Sequence, residues 1–258
     1  MVQINKEACI GCGKCVDDCI SGCLLMDGGK AAYTGKCIHC GHCVAICPSG
    51  AVSIPEYDMA DVQEYPLQDF GLDIGRLLGT IKFRRSIRHY TDQKVETEKL
   101  KNIIQAGRYT ATGANRQACR FVVVQDKLEI LKSMVWIGVE QAVSTSEEAA
   151  RELQRLIDLR RKKQIDYLFR NAPTVLYIAA NNVVDAGLAA QNMELAAIAQ
   201  GLGVLYNGYL ARSTALSKEA CDWLCLDGKP LAVCMLVGYP AVDYRRTAPR
   251  KKADAIWL

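Results

Sequence analysis

Cysteine forms the clearest chemical pattern in this chain of 258 residues, which contains 13 cysteines. Two stretches, residues 9–22 and 37–50, each carry the spacing C-x2-C-x2-C-x3-C, and nine of their 14 aligned positions are identical. Two-residue spacers allow one short loop to present three thiolates to a single metal centre. Gly11, Gly13 and Gly41 permit the tight curl that such a loop needs. The repeat therefore predicts metal binding through thiolates.

The spacing resembles that of bacterial-type ferredoxins, in which three cysteines of one motif bind one 4Fe–4S cluster and the fourth binds the other cluster. The resemblance implies a two-cluster domain over residues 1–56. One cluster would be bound by Cys9, Cys12, Cys15 and Cys47, and the other by Cys37, Cys40, Cys43 and Cys19. The chain departs from the family in one place, since Ile20 follows Cys19 where proline is usual.

Structural zinc and disulfides are the competing uses of clustered cysteines. Structural zinc uses paired C-x2-C motifs and needs no third cysteine at the same spacing, and disulfides belong mainly to exported proteins. Cys23 could be an extra ligand, but the repeat aligns it with Ala51, which favours a small buried residue. His39 and His42 are expected to tune the clusters rather than bind them. The other cysteines show no ligand spacing and are expected in or near the core: Cys119, Cys221, Cys225 and Cys234.

The rest of the chain is patterned as an α+β domain. Residues 57–75 are scattered with proline, glycine and acids and predict a linker, followed by a domain over residues 76–258. Periodic apolar positions predict helices over 97–109, 147–169 and 185–200, the last one buried because it is rich in alanine. Runs of β-branched and aromatic residues predict strands over 121–124, 174–180 and 231–237. The basic run at 160–163 is expected to be a solvated helix face.

Four motifs follow in order within this second domain. They are FRRSIRHY at 83–90, TGANRQACRFVVV from Thr112, GLGVLYNGYL at 201–210 and GYPAVDYRRTAPRK at 238–251. Each motif alone is a weak signal, but the ordered set resembles the FMN-dependent nitroreductase family over residues 76–258. The resemblance implies a mainly antiparallel central sheet wrapped by helices, and a homodimer with FMN at the subunit interface.

The family's flavin contacts transfer to individual residues of this chain. Arg84 and Ser86 would bind the FMN phosphate, and Arg88 would face the flavin N1/O2 edge, where a cation stabilises reduced flavin. Asn115 would contact the flavin from the neighbouring subunit, and the Gly208 amide would approach flavin N5. The full expected set is Arg84, Arg85, Ser86, Arg88, Thr112, Gly113, Asn115, Asn207, Gly208, Arg250 and Lys251. No side-chain general acid is expected, and Ala118 and Cys119 depart from the family after Gln117.

The two resemblances together predict an oxidoreductase that passes electrons from two 4Fe–4S clusters to FMN and on to nitroaromatic or quinone-like acceptors. An electron relay between redox proteins is the alternative, as is a related flavin chemistry such as reductive dehalogenation or flavin fragmentation. The electron donor is expected to be NAD(P)H or reduced ferredoxin. No glycine-rich dinucleotide fingerprint follows a predicted strand, so no second nicotinamide site is expected.

Composition and charge agree with this prediction. Half of the residues are hydrophobic and the mean hydropathy is near zero, which excludes a disordered chain. Residues 245–252 carry five positive charges, more than the whole net charge of +4, so the basic surplus suits one phosphate better than a nucleic acid. No apolar run is long enough to span a membrane. A cytoplasmic protein of an oxygen-poor cell is expected.

Overall fold

The computed structural model describes residues 1–64 and 71–258 of the chain. The chain divides into two compact units. The N-terminal unit comprises Met1–Gly71 and Thr112–Arg116, and the C-terminal unit comprises Leu72–Ala111 and Gln117–Leu258. The predicted boundaries at 56 and 76 stay a prediction. The structural division falls inside the predicted linker, of which residues 65–70 lie outside the described residues.

The N-terminal unit is built from short elements that follow the cysteine repeat. They are β1 (Gln3–Ile4), α1 (Lys14–Asp17), β2 (Leu24–Asp27), β3 (Lys30–Tyr33), α2 (His42–Ala45) and β4 (Val52–Ser53). Strand β1 pairs with β4 and β2 pairs with β3, both antiparallel. Each helix begins after a glycine in the left-handed region, Gly13 at φ 75° and Gly41 at φ 80°. The repeated glycines are therefore required by the backbone, because other residues rarely adopt this conformation.

The apolar core of this unit is small and partly made of cysteine. Val2, Leu24, Val52 and Ile54 are buried together with three of the motif cysteines, Cys9, Cys15 and Cys43. A core of this size stabilises a fold weakly by burial alone, and small domains of this kind are commonly stabilised by bound metal. The buried motif cysteines lie within this core, where a bound cluster would link the segments around it.

The C-terminal unit follows the predicted α+β pattern. Its elements are α3 (Ile74–Phe83), α4 (Thr97–Arg108), β5 (Arg120–Val124), α5 (Leu128–Thr145), α6 (Glu147–Lys163), β6 (Thr174–Ala179), α7 (Val183–Ala199), β7 (Gly203–Tyr206), α8 (Gly208–Ala215), α9 (Lys218–Trp223) and β8 (Leu231–Gly238). The four strands form one sheet in the order β5-β6-β8-β7, and all three pairings are antiparallel. The predicted fold class is confirmed.

Helices cover both faces of the central sheet. All six residues of β6 are buried, and because side chains alternate along a strand they supply two different cores. Val175 and Tyr177 pack in a cluster with residues of α5, α6, α8 and α9, whereas Leu176 and Ile178 pack with residues of α4 and α7. This double burial explains why β6 is a continuous apolar run rather than an alternating one.

Three details of the C-terminal unit differ from the sequence-based expectations. The helix predicted over 147–169 ends at Lys163, where Gln164 turns left-handed at φ 53°, so the predicted C-terminus is wrong. No glycine or proline marks this stop, and the following Leu168 and Phe169 are buried in the core instead. Helices α3, α5, α8 and α9 and strand β7 were not predicted. Cys234 is buried as expected, but Cys225 is exposed.

The alanine-rich segment forms the buried helix α7, as predicted. Its alanines pack against α4, and an added Cβ at Gly107 of α4 would lie 2.8 Å from the Met193 sulfur. Small side chains on both helices therefore allow their close approach. Within the described residues, none of the helices has the length and apolar character needed to cross a lipid bilayer.

Candidate functional site

The first predicted set of cluster ligands comes together in the N-terminal unit. Burial raises the pKa of the Cys15 thiol, and the other three thiols of its set, those of Cys47, Cys12 and Cys9, raise it further. Such mutual effects require the four sulfurs to be neighbours. The fourth cysteine of the second motif is therefore next to the first three cysteines of the first motif, as the resemblance implies.

The second predicted set lies together in the same way. Burial raises the pKa of the Cys43 thiol to about 11, and the Cys37 and Cys40 thiols add to this effect. The sulfur of Cys19 is linked to the set through Cys23, which lies 3.4 Å from it and also contacts Cys37. Cys37, Cys40 and Cys43 are therefore neighbours, and Cys23 connects Cys19 with Cys37.

Hydrogen-bond donors surround the sulfurs. The amide of His39 donates to Cys37 Sγ at 3.2 Å, and the amide of Ala51 donates to Cys47 Sγ at 3.2 Å. Burial opposes ionisation of Cys47, but the Ser49 hydroxyl and nearby amides outweigh it and lower the pKa of this thiol. Donors of this kind stabilise the thiolate form that binds iron.

The donor set fits 4Fe–4S chemistry. Soft thiolates are the ligands that iron–sulfur clusters use, and each of the four irons of a cluster takes one of them. Among the described residues, no three His, Cys, Asp or Glu side chains converge as ligands of one ion would. A cluster does not require such convergence, because its four ligands bind four different irons.

The basic motif of the C-terminal unit lies against strand β7. Ile87 is buried, its amide donates to the Val204 carbonyl at 3.0 Å, and Ser86 forms a parallel bridge with Val204. A Cβ at Gly203 would overlap the Ile87 side chain, so glycine is needed for this close approach. Ser86 is therefore held in a fixed position by backbone contacts on both sides of it.

Arg84, predicted to bind the FMN phosphate, has a buried partner. Its Nη1 lies 3.4 Å from Oε1 of Glu194 on helix α7, and the two side chains are 27% and 1% exposed. Gln191 donates to the other oxygen of the same carboxylate at 3.3 Å. The remaining arginines of the motif differ in their surroundings, since Arg88 is exposed while the Nε of Arg85 is buried without a partner among the described residues.

Asn207 and Gly208 begin helix α8. Asn207 is 7% exposed, its Oδ1 accepts from the Leu210 amide at 2.9 Å, and its Nδ2 donates to the Leu168 carbonyl at 2.6 Å. Both ends of its side chain are therefore engaged inside the fold. Nothing lies within 4 Å of a Cβ added at Gly208, so the backbone there faces open space. This space fits the predicted approach of a flavin ring to the Gly208 amide.

The loop with Thr112, Gly113 and Asn115 belongs to the N-terminal unit. The Nδ2 of Asn115 donates to the His39 carbonyl at 2.8 Å and to the Ile38 carbonyl at 3.3 Å, both within the second cysteine motif. Ala114 and Asn115 adopt left-handed φ values of 51° and 52°. The predicted flavin contact of Asn115 stays a prediction, and what the structure adds is its hydrogen bond to a cluster-binding loop.

The last two predicted phosphate ligands are exposed. Arg250 and Lys251 lie in the C-terminal segment after β8, which has no regular secondary structure. The Nη1 of Arg250 donates to the Pro249 carbonyl at 3.1 Å. The phosphate contacts of Arg250 and Lys251 stay a prediction.

Three features of the site were missed from the sequence. They are the Glu194 carboxylate, the contact of Asn115 with His39, and the contact of Cys23 with Cys19. Glu194 carried a signal, since it is the single acid within residues 186–199 of an alanine-rich helix. Cys23 carried one as well, because it lies four residues after Cys19. The contact of Asn115 with His39 has no local signature.

Two family descriptions match the chain, one in each unit. The description "4Fe-4S dicluster domain" matches residues 8–51, and "Nitroreductase family" matches residues 81–239. "FMN reductase (NADPH)" of Bacillus subtilis is 31% identical over 134 residues, which is 50% of this chain and 52% of that protein. "NADPH-flavin oxidoreductase" of Vibrio harveyi is 34% identical over 140 residues, 54% of this chain and 56% of that protein. The chain spans about half the length of the curated relatives that it matches.

Solved structures show the same fold. A nitroreductase with bound FMN from Desulfitobacterium hafniense aligns with a TM-score of 0.58 and 22% identity, covering 70% of this chain and 97% of that one. An FMN-dependent nitroreductase from Clostridium difficile aligns with a TM-score of 0.57 and 19% identity, covering 71% and 100%. Because the family match covers more than half of its residues and a 4Fe–4S dicluster match precedes it, this chain is a member of the nitroreductase family with an N-terminal iron–sulfur domain.

Proposed function

We propose that the chain is an iron–sulfur flavoprotein oxidoreductase that passes electrons from two 4Fe–4S clusters to FMN and on to nitroaromatic or quinone-like acceptors. The observation that carries the proposal is that Cys47 of the second motif lies beside the first three cysteines of the first motif, in a chain of the nitroreductase family. The first set is Cys9, Cys12, Cys15 and Cys47, and the second is Cys19, Cys37, Cys40 and Cys43. Bound clusters would carry electrons singly, and bound FMN would exchange them in pairs.

The residues of the C-terminal unit would bind and orient FMN. Arg84 and Ser86 would hold the phosphate, with Ser86 fixed by the bridge to Val204. The exposed Arg88 would lie at the flavin's pyrimidine edge, where its positive charge stabilises the reduced, more negative flavin. The open space at Gly208 would admit the ring. Arg250 and Lys251 would add positive charge near the phosphate.

The assembly and setting follow from the same proposal. We infer a homodimer with FMN at the subunit interface, to which Thr112, Gly113 and Asn115 contribute. Because the eight motif cysteines would bind iron as thiolates, we expect a reducing compartment, the cytoplasm of an oxygen-poor cell. NADPH is one candidate donor because two relatives carry it in their names, and reduced ferredoxin is the other.

Anaerobic purification of the full chain with iron, sulfide and flavin assays tests the proposal. We expect about eight irons, about eight sulfides and about one FMN per chain. A colourless protein with bound zinc would overturn it. Reduction of a nitroaromatic and of a quinone is then timed with NADPH and with reduced ferredoxin as alternative donors, and turnover with either donor supports the enzyme.

Two cysteine variants show whether electrons pass through the clusters. Cys12→Ala removes an exposed motif thiol, and Cys225→Ala removes an exposed thiol outside the motifs, which makes it a matched control. Ferredoxin-driven turnover should fall about tenfold or more in Cys12→Ala and stay unchanged in Cys225→Ala. Full ferredoxin-driven activity in Cys12→Ala would show that the clusters are not on the path.

A second candidate, an electron relay between redox proteins, is favoured by exposed apolar residues in the N-terminal unit. Ile10, Ile20, Ile38 and Ile46 each directly adjoin a motif cysteine and are exposed, Ile20 at 85%. Such residues suit brief docking of a protein donor close to a cluster. If reduced ferredoxin reduces the bound FMN but neither nitroaromatic nor quinone is turned over, the relay is supported and the enzyme is not.

A further inference from the structure

We propose that the Cys23 thiol is a hydrogen-bond donor to the sulfur of Cys19, and that it raises the reduction potential of the cluster held by Cys19, Cys37, Cys40 and Cys43. The inference rests on the proposed two-cluster function and assigns a role to a cysteine outside the ligand sets. A donor to a cluster sulfur stabilises the reduced state, because that state carries one more negative charge.

Cys23 is buried beside two of the predicted ligands, Cys19 and Cys37. Its side chain is 2% exposed, and its Sγ lies 3.4 Å from Cys19 Sγ, well inside the range of sulfur hydrogen bonds. It also contacts the side chain of Cys37, a second ligand of the same predicted cluster. The Cys23 carbonyl accepts from the Thr34 amide at 2.9 Å, which fixes the backbone. A buried thiol between two ligands of one cluster has no water to bond to, so these sulfurs are its available acceptors.

The internal repeat allows Cys23 to be compared with the equivalent residue in the other half of the unit. At the offset of the repeat, Cys19 aligns with Cys47 and Cys23 aligns with Ala51. Both ligands accept the amide at this position, since Cys19 accepts from the Cys23 amide and Cys47 from the Ala51 amide. The backbones are therefore alike, and a thiol replaces a methyl group on one side only. Cys23 is an added donor rather than a required part of the loop.

The other half of the repeat has a side-chain donor of its own. The hydroxyl of Ser49 lies 3.7 Å from Cys47 Sγ, and Cys47 belongs to the cluster of Cys9, Cys12 and Cys15. Among the described residues, the Cys23 thiol thus lies beside the fourth cysteine of the first motif and the Ser49 hydroxyl beside the fourth cysteine of the second motif. Removing either donor should lower the reduction potential of one cluster and leave that of the other cluster unchanged.

The test uses the anaerobically purified full chain with EPR-monitored redox titration. Cys23→Ala should keep about eight irons per chain and lower the potential of one cluster, so that its equilibrium constant for reduction falls about two- to tenfold. Ser49→Ala should lower the potential of the other cluster by a similar factor. Cys23→Ser keeps a donor of similar size and should stay closer to the wild-type potential than Cys23→Ala.

The outcomes are decisive for Cys23. Unchanged potentials of both clusters in Cys23→Ala overturn the proposal, as does a loss of about four irons, which would make Cys23 a ligand. Ala51 shows that the repeat accepts alanine at this position, so Cys23→Ala is compatible with folding. Cys23→Ser provides a second, independent measurement of the potential. Wild-type protein without eight irons would contradict the proposed function instead, so the two failures are distinguishable.

Discussion

Glu194 places a carboxylate with 1% exposure at 3.4 Å from the guanidinium of Arg84. The two residues are 110 positions apart and join the alanine-rich helix α7 to the start of the basic motif. A buried charge is costly unless it is paired and hydrogen-bonded, and Glu194 satisfies both conditions through Arg84 and Gln191. The contact therefore ties the predicted phosphate site to the core of the C-terminal unit.

Arg84→Leu should destabilise the protein measured without FMN. The variant leaves the Glu194 carboxylate buried and unpaired, and we expect a loss of about 2–3 kcal/mol, less than for a fully buried pair because Arg84 is partly exposed. The double variant Arg84→Leu/Glu194→Leu should recover most of the loss. Urea unfolding measures the difference, with Arg88→Leu as an exposed control. Equal stability of the single and double variants would show that the pair is not coupled.

Ser86→Ala should weaken the binding of FMN but not of riboflavin. A lost hydrogen bond to the phosphate costs about 1 kcal/mol, which is about a fivefold rise in Kd. Riboflavin lacks the phosphate and reports on the ring site alone. Flavin fluorescence titration gives both constants, and Ser144→Ala on the exposed face of α5 is the control. A parallel loss for both flavins would place Ser86 away from the phosphate.

Asn115→Asp should loosen the loop of the second cysteine motif. The substitution replaces the donor to the His39 and Ile38 carbonyls by a carboxylate that repels them. The cluster bound by that loop should then release iron to a chelator about threefold faster or more. Asn115→Ala should have a smaller effect. Asn171→Asp, on an exposed turn, controls for the added charge. Equal rates of iron release in all variants would contradict a stabilising role of Asn115 on this loop.

Removing the clusters should unfold the N-terminal unit while the C-terminal unit stays folded. The core of the N-terminal unit depends on Cys9, Cys15 and Cys43, whereas the C-terminal unit has a sheet buried on both faces. Binding free energy of metal is folding free energy in such small domains. Hydrogen exchange after anaerobic iron chelation should show β1–β4 fully exchanged and β6 protected. If β1–β4 stayed protected from exchange, the apolar core alone would be sufficient to keep the N-terminal unit folded.

Local spacing explains what could be predicted from the sequence. Within each motif only two or three residues separate consecutive cysteines, so the covalent chain itself keeps each set of three together. The glycines at left-handed φ permit the tight turns between them. Helices α4 and α7 were predicted from apolar residues that recur at the helical period. Strand β6 was predicted from its continuous apolar run, because both of its faces are buried. The order of the motifs was enough to identify the family.

Only the tertiary structure decided which distant groups meet. The contacts of Glu194 with Arg84 and of Asn115 with His39 join residues 110 and 76 positions apart and depend on packing. Helix α6 ends at Lys163, and the following Leu168 and Phe169 are buried in the core. Partner choice over long separations is a property of the whole packed fold, whereas ligand spacing is a property of a few consecutive residues. The sequence by itself therefore determined the family and predicted the chemistry of this protein, and the fold decided which distant side chains contact the predicted sites.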